Sequence, residues 1–406
     1  MTDSLTDLPD GSVTTPRGFL AGAAAAGIRD DSPPGHLDLA LLVAERRCAA
    51  AATYTKNRFQ APPLRLTQRH LKDGAAQAVV VNTGSANSLT GEQGERDAQA
   101  TADMVAQKLG LPVEDIVVSS TGVTGWPLPV DKIRKALDHI IPTEDGGDVF
   151  AHAILTTDTV AKQAAARFQW NGVTYTVGGA AKGSGMVNVD MATMLAFLTT
   201  DAPIDSAPLA ALLRETVDAS FNMLTIDNAT STNDMALVLA SGASGGERIG
   251  DGHPALPLLG AALTHVATTL TRKLARDGEG ATKLIEVRVD GAASLGDARS
   301  AAKAVAGSML LKAALFGNDP NWGRVLDAIG YCGVDVPEEK LALLLQDTEV
   351  YRAGQPVPYD DAALRSALDH SEVSIRVDLG VGEAAATAWG CDLTPEYVRI
   401  NSAYTT

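Results

Sequence analysis

Short apolar runs alternate along this chain with stretches of helical period. Ala78–Val81 and Asp115–Ser119 read as buried strands, and Ala98–Leu109 between them reads as an amphipathic helix. Phe19–Ile28 has the profile of a first buried strand, and Gly172–Val177 alternates in the two-residue period of a half-exposed one. Residues 1–16 are polar and predict a loosely ordered leader, and Pro142–Asp148 predicts a turn-rich surface connection. In the second half, Ala207–Ser220, Ala255–Ala275 and Asp360–His370 carry helical patterns. Met235–Ala240, Leu284–Val289, Leu341–Leu345 and Val373–Val377 carry strand patterns, and Gly242–Asp251 is a glycine-rich turn. The mixture has no internal repeat and no long linker, so it predicts an α/β (α+β) protein.

Composition narrows the class. The 406 residues allow two or three domains, and only 4% are aromatic, so the core must be built from small side chains packed closely. A formal net charge of −16 argues against a nucleic-acid partner and against docking on an anionic membrane. No run approaches the roughly 18 apolar residues of a membrane span, and the acidic leader is unlike a secretory signal, so a soluble, cytoplasmic protein is expected. Cys48, Cys332 and Cys391 are odd in number and widely separated, which predicts free thiols rather than a disulfide framework or a zinc site. The seven histidines are scattered and form no HExxH, so no metal is expected.

Familiar catalytic motifs fail one by one. Gly242-Ala-Ser244-Gly-Gly246 matches the spacing of a nucleophile elbow, but turn-like sequence follows where the elbow needs a helix. No GxGxxG follows a strand, and no phosphate-binding GxxxxGK[ST] is present. What remains is a set of polar segments rich in Gly, Thr, Asn and Asp: Asn82–Asn87, Ser119–Gly125, Thr156–Thr159, Lys182–Met186, Thr230–Asp234, Asp277–Lys283 and Asn318–Arg324. Several follow directly on apolar strands, where loops on a rigid scaffold commonly carry function. Singly, each is more often a turn than a site, and the pattern alone gives no reaction.

Lys182–Ala202, KGSGMVNVDMATMLAFLTTDA, resembles the signature of the ornithine acetyltransferase family. Further segments match in order: TKNRF at Thr55–Phe59, SSTG at Ser119–Gly122, TTDT at Thr156–Thr159, TSTND at Thr230–Asp234 and DGEGATK at Asp277–Lys283. DPNWGR at Asp319–Arg324, GCDLT at Gly390–Thr394 and the closing YVRINSAYTT complete a resemblance over essentially the whole chain.

The resemblance implies a multi-layer sandwich with a smaller C-terminal α/β domain. It also implies self-cleavage between Ala192 and Thr193 into an α chain, 1–192, and a β chain, 193–406. Thr193 would then be the nucleophile, with Thr121 and Gly122 forming the oxyanion hole. Thr156, Lys182, Glu279, Asn401 and Thr406 would bind substrate, Lys182 being suited to a carboxylate and Glu279 to an ammonium. The implied reaction takes an acetyl group from N-acetyl-L-ornithine to L-glutamate with no cofactor, in an α2β2 assembly, and some relatives also use acetyl-CoA. Read without the resemblance, Thr193 is an ordinary helix residue before apolar Met194–Leu198, SSTG is a β-turn, Lys182 is solvated and Glu279 is turn polarity. Val189-Asp190 stands where the family more usually has Pro-Asn, and Ser85 where Asn is more familiar, departures that admit another N-acylated amino acid as substrate. A serine hydrolase using Ser244 and a non-catalytic scaffold are the alternatives from other classes.

Overall fold

A computed structural model describes residues 5–187 and 194–403. Its strands, in chain order, are β1 (Thr6–Leu8), β2 (Phe19–Ala24), β3 (Leu39–Tyr54), β4 (Ala75–Asn82), β5 (Ile116–Ser120), β6 (Lys162–Trp170), β7 (Val173–Lys182), β8 (Leu195–Thr200) and β9 (Met235–Ala240). These form one mixed sheet in the order β1-β6-β7-β8-β9-β3-β4-β5, with β2 also paired to β3. The pairs β4–β5 and β8–β9 are parallel, and the rest are antiparallel.

The sheet folds over on itself at β3. Val43 pairs with Ala78, but the next pair is Cys48 with Ala76, so the exposed Glu45-Arg46-Arg47 bulges out and lets the long strand bend. Arg47 closes the bulge by donating to Asp115 at 2.7 Å and to Asp73. The first half of β3 then lies with β2, β4 and β5, and the second half with β9, β8, β7 and β6. Ala40, Leu42, Val79, Val81 and Val117 from one half share a single core with Leu195, Phe197, Leu237 and Leu239 from the other. Phe150 fills its centre, edge-on to Phe197 at 5.4 Å.

Alternate residues of the same strands face outward, as the two-residue period requires. Leu39, Leu41, Val80 and Val118 pack on helices Gly91–Leu109 and Val130–Leu137. Ala196, Leu198, Ala236 and Val238 pack on helices Ser206–Ala219 and Leu256–Arg276. The result is four layers, helix-sheet-sheet-helix.

A second sheet covers the C-terminal part: β10 (Leu284–Ala292), β11 (Ala342–Leu345), β12 (Thr348–Arg352), β13 (Gln355–Pro356), β14 (Glu372–Asp378) and β15 (Ala384–Cys391), in the order β13-β12-β11-β14-β10-β15. Its inner face joins the core beneath helix Leu256–Arg276. Together the two sheets give the α/β sandwich and smaller C-terminal α/β part expected from the sequence.

Two expectations change. The apolar run after Met194 opens a strand, not a helix: β8, starting at Leu195, pairs with β7 and β9, and its alternate residues enter opposite cores. The leader, expected to be loosely ordered, is tied down over its described residues, because β1 pairs with β6 and Val13 is fully buried. Pro142–Asp148 is the turn-rich surface connection expected, with Thr143, Glu144, Asp145 and Asp148 exposed and Thr143 anchored by exchanging both backbone hydrogen bonds with Ala21. The three cysteines are free; Cys48 and Cys391 are buried, and burial raises their thiols to about 12 and about 11.

Candidate active site

The fold brings the polar segments to one place. Lys182 ends β7 and pairs with Leu195, the first residue of β8, while Met235 at the start of β9 lies alongside Leu195. β5 ends at Ser120 and delivers Thr121 and Gly122, beside the turn that follows β4. The fold in β3 sets these strand ends from the two halves against each other, and a cavity opens between them. Thr121, Gly122, Thr156, Lys182, Glu279 and Asn401 all line it, together with Met194, Asp227, Asn233 and Tyr397. Thr193, Ala192, the Val189-Asp190 pair and Thr406 lie outside the described residues. The segment 188–193 is flanked by Val187 and Met194, both buried and both held by backbone bonds, from Ile226 at 2.6 Å and Met235 at 3.1 Å.

Lys182 is the centre of the polar network. Its ammonium donates to Thr156 Oγ1 at 2.7 Å and to Thr121 Oγ1 at 3.4 Å, and it stands 4.0 Å from Asp158 Oδ2. An ammonium only donates, so both threonine hydroxyls accept from it and keep their own protons for another acceptor. Burial pushes the Lys182 pKa below the usual lysine range, while Asp158 opposes that shift. Burial alone would raise the Asp158 carboxyl, but Lys182 and Lys162 outweigh it and hold it down to about 2.

Gly122 has φ 130°, and a Cβ there would stand 2.4 Å from the backbone of Gly84, so only glycine fits this loop crossing. Among the described residues its N–H finds no acceptor, although it sits on the cavity wall. Across the cavity, buried Glu279 is fixed by its own N–H to Ser184 O at 2.8 Å and by Asn401 Nδ2 on its carboxylate at 2.7 Å. Asn401 comes from the C-terminal helix Pro395–Ala403, so this helix is docked rather than frayed.

Three further lining residues are not singled out individually by the sequence. Asp227 accepts from the backbone N–H groups of Met186 (2.6 Å) and Val187 (2.8 Å) and from the Tyr397 hydroxyl (3.2 Å). Burial, then Asp227, push the Tyr397 hydroxyl above its usual range. Asn233 Nδ2 ties Ala86 O and Ser120 O together at 2.6 and 2.9 Å, which holds the loop carrying Thr121 against β9. Asn233 stood inside the TSTND segment, but Asp227 followed an apolar run and carried no signal. Ser244, the hydrolase candidate, lies in a loop away from this cavity with its hydroxyl donating to Asp201 O at 2.6 Å.

One cavity thus presents the Lys182 ammonium, the Glu279 carboxylate, the Gly122 backbone and the Thr121 hydroxyl. Among the described residues no helix is long and apolar enough to cross a membrane.

A family model described as the ArgJ family matches residues 20–406. The arginine biosynthesis bifunctional protein ArgJ of Symbiobacterium thermophilum is 52% identical over 400 residues, 98% of this chain and 99% of that protein. The protein of the same name from Bacillus licheniformis is 45% identical over 398 residues, 98% of this chain and 97% of its own. Among solved structures, an ornithine acetyltransferase from Mycobacterium tuberculosis in complex with ornithine is 40% identical, covers 45% of this chain and 97% of that one, and has a TM-score of 0.42.

Proposed function

This chain belongs to the ArgJ family, and from that premise we propose that it carries an acetyl group from N-acetyl-L-ornithine to L-glutamate on the hydroxyl of Thr193. Thr193 first attacks the Ala192 carbonyl, moving the acyl bond from nitrogen to oxygen. Hydrolysis of that ester leaves chains 1–192 and 193–406 and frees the Thr193 α-amine. This amine has an ordinary pKa of ~7.7–8.0, so a useful fraction is neutral near pH 7 and can take the proton from its own hydroxyl.

The oxygen then attacks the acetyl carbonyl of the donor. The developing oxyanion falls to the Gly122 N–H and the Thr121 hydroxyl, whose proton stays available because Lys182 occupies its lone pair. Collapse expels the ornithine amine, protonated by the Thr193 ammonium, and leaves acetyl-Thr193. The neutral amine of glutamate attacks this ester, and N-acetyl-L-glutamate departs with Thr193 restored. Lys182 and Thr156 hold the substrate α-carboxylate, and Glu279, steadied by Asn401, takes the ornithine side-chain ammonium. Thr406, three residues beyond the docked helix, completes the substrate site in this reading. Following the same family resemblance, the two chains assemble as α2β2 in the cytoplasm.

The observation that carries the reading is the meeting of opposite charges, Lys182 and Glu279, on one cavity with Gly122 and Thr121 and with Met194, the residue bonded to Thr193. The test is steady-state acetyl transfer with purified enzyme and a panel of N-acetylated amino acids. The wild type is expected to use N-acetyl-L-ornithine with glutamate as acceptor. Glu279→Gln should raise KM for that donor roughly 10- to 100-fold, the size of a hydrogen bond to a charged group, and should barely change KM for donors with uncharged side chains. A wild type that transfers no acetyl group from acetylornithine but does so from another member of the panel would reassign the substrate.

A further inference from the structure

Three charged side chains that take no part in the acyl transfer lie buried behind Lys182. The side chains of Asp158 and Lys162 are fully enclosed, and that of Asp277 is 8% exposed. Lys162 Nζ donates to Asp158 Oδ1 at 2.7 Å and to Asp277 Oδ2 at 2.5 Å. Asp158 also accepts the N–H groups of Gly183 at 2.7 Å and Thr156 at 3.2 Å, and its second oxygen faces the Lys182 ammonium. Asp277 accepts the Thr159 N–H at 3.0 Å and the Thr159 hydroxyl. Thr156, Lys182 and Glu279 are thus carried by three segments that one buried ion network joins. Enclosing ions costs stability that well-packed apolar side chains would not, so such a network is placed where it fixes something else.

We propose that Asp158 and Lys162 are positioning residues, which hold the Lys182 ammonium at the cavity wall and lock the Thr156 and Glu279 segments to it. This rests on the reading of Lys182 as the anchor for the substrate carboxylate. Lys182 is influenced by Asp158 and Lys162 from the segment after Thr156, by Asp234 from the loop before β9, and by Glu279 from the opposite loop. Removing the Asp158 charge leaves Lys182 beside a second ammonium with its nearest counterion gone, so Lys182 gives up its proton more easily. Removing the Lys162 charge gives Asp158 wholly to Lys182, which then keeps its proton to higher pH.

The experiment follows the carbamoylation of Lys182 by cyanate, which reacts with the neutral amine, across pH, read by peptide mass spectrometry on the full protein. Asp158→Asn is expected to lower the midpoint by ~1–3 pH units and Lys162→Met to raise it, while Lys162→Arg stays at the wild-type value. General loosening would move every variant upward towards free lysine, so unchanged midpoints, or shifts in one common direction, overturn the proposal. Should Asp158→Asn fail to fold, Lys162→Met raised against an unmoved Lys162→Arg supports the proposal, and equal midpoints overturn it. In turnover, Asp158→Asn should raise KM for the acetylated donor about tenfold or more and change kcat less. Labelling needs no turnover, so a wild type inactive towards acetylornithine sinks the acyl-transfer reading while the midpoints still decide the network.

Discussion

Thr193→Ala is expected to remain a single uncleaved chain and to lose acetyl transfer by a factor of at least about 10⁴. In the proposed mechanism one residue carries two reactions. Its hydroxyl opens the Ala192 bond, and the amine released then serves that same hydroxyl as base. Alanine removes the attacking atom from both steps, so no partial function survives through the other groups of the cavity. Thr193→Ser separates the roles: the hydroxyl is kept and a methyl is lost, so cleavage and transfer should continue at reduced rates. Intact masses under denaturing conditions and the rate of N-acetyl-L-glutamate formation check both variants. A Thr193→Ala enzyme that cleaves or turns over would remove Thr193 from the mechanism.

The second large effect is expected at the oxyanion pair. Thr121→Val keeps the shape of the side chain but deletes the hydroxyl, and should lower kcat by ~10²–10³ with little change in KM. The loss is selective because the hydroxyl meets the acetyl oxygen only as charge develops on it. Gly122→Ala is a different kind of change. Its backbone lies at φ 130°, and the new methyl would stand 2.4 Å from the Gly84 backbone, so the two loops must separate and the N–H must move. Activity should be lost at least as severely as in Thr121→Val, with a lower melting temperature as well. Equal kcat in Thr121→Val and wild type would show that the hydroxyl does not touch the reacting oxygen.

Much of the fold could be read from the two periods of the chain. The apolar runs at Ala78–Val81 and Met235–Ala240 and the helical patterns at Ala207–Ser220 and Ala255–Ala275 fall on elements of the structure within a residue or a few. The long β3 strand could not be read, because Glu45-Arg46-Arg47 interrupts its apolar pattern where the strand bulges. Met194–Leu198 was ambiguous for another reason: a short, wholly apolar run fits a strand enclosed between two cores as well as it fits a buried helix. At the site, family resemblance supplied Thr121, Gly122, Thr156, Lys182, Glu279 and Asn401, which the fold gathers around one cavity. Lys162 gave no local sign, since KQAAARFQW alternates like a half-exposed strand. Its side chain is enclosed only because Asp158 and Asp277 meet it there, and the Asp277 partner stands far along the chain.

The most direct test is to trap the acyl-enzyme. The matured protein is mixed with N-acetyl-L-ornithine in the absence of glutamate, quenched in acid and mapped by mass spectrometry. The account predicts one equivalent of released ornithine and a 193–406 chain heavier by one acetyl group on Thr193, which is lost when glutamate is added. Turnover with no acetyl group on Thr193, or with the group on another residue, would contradict it.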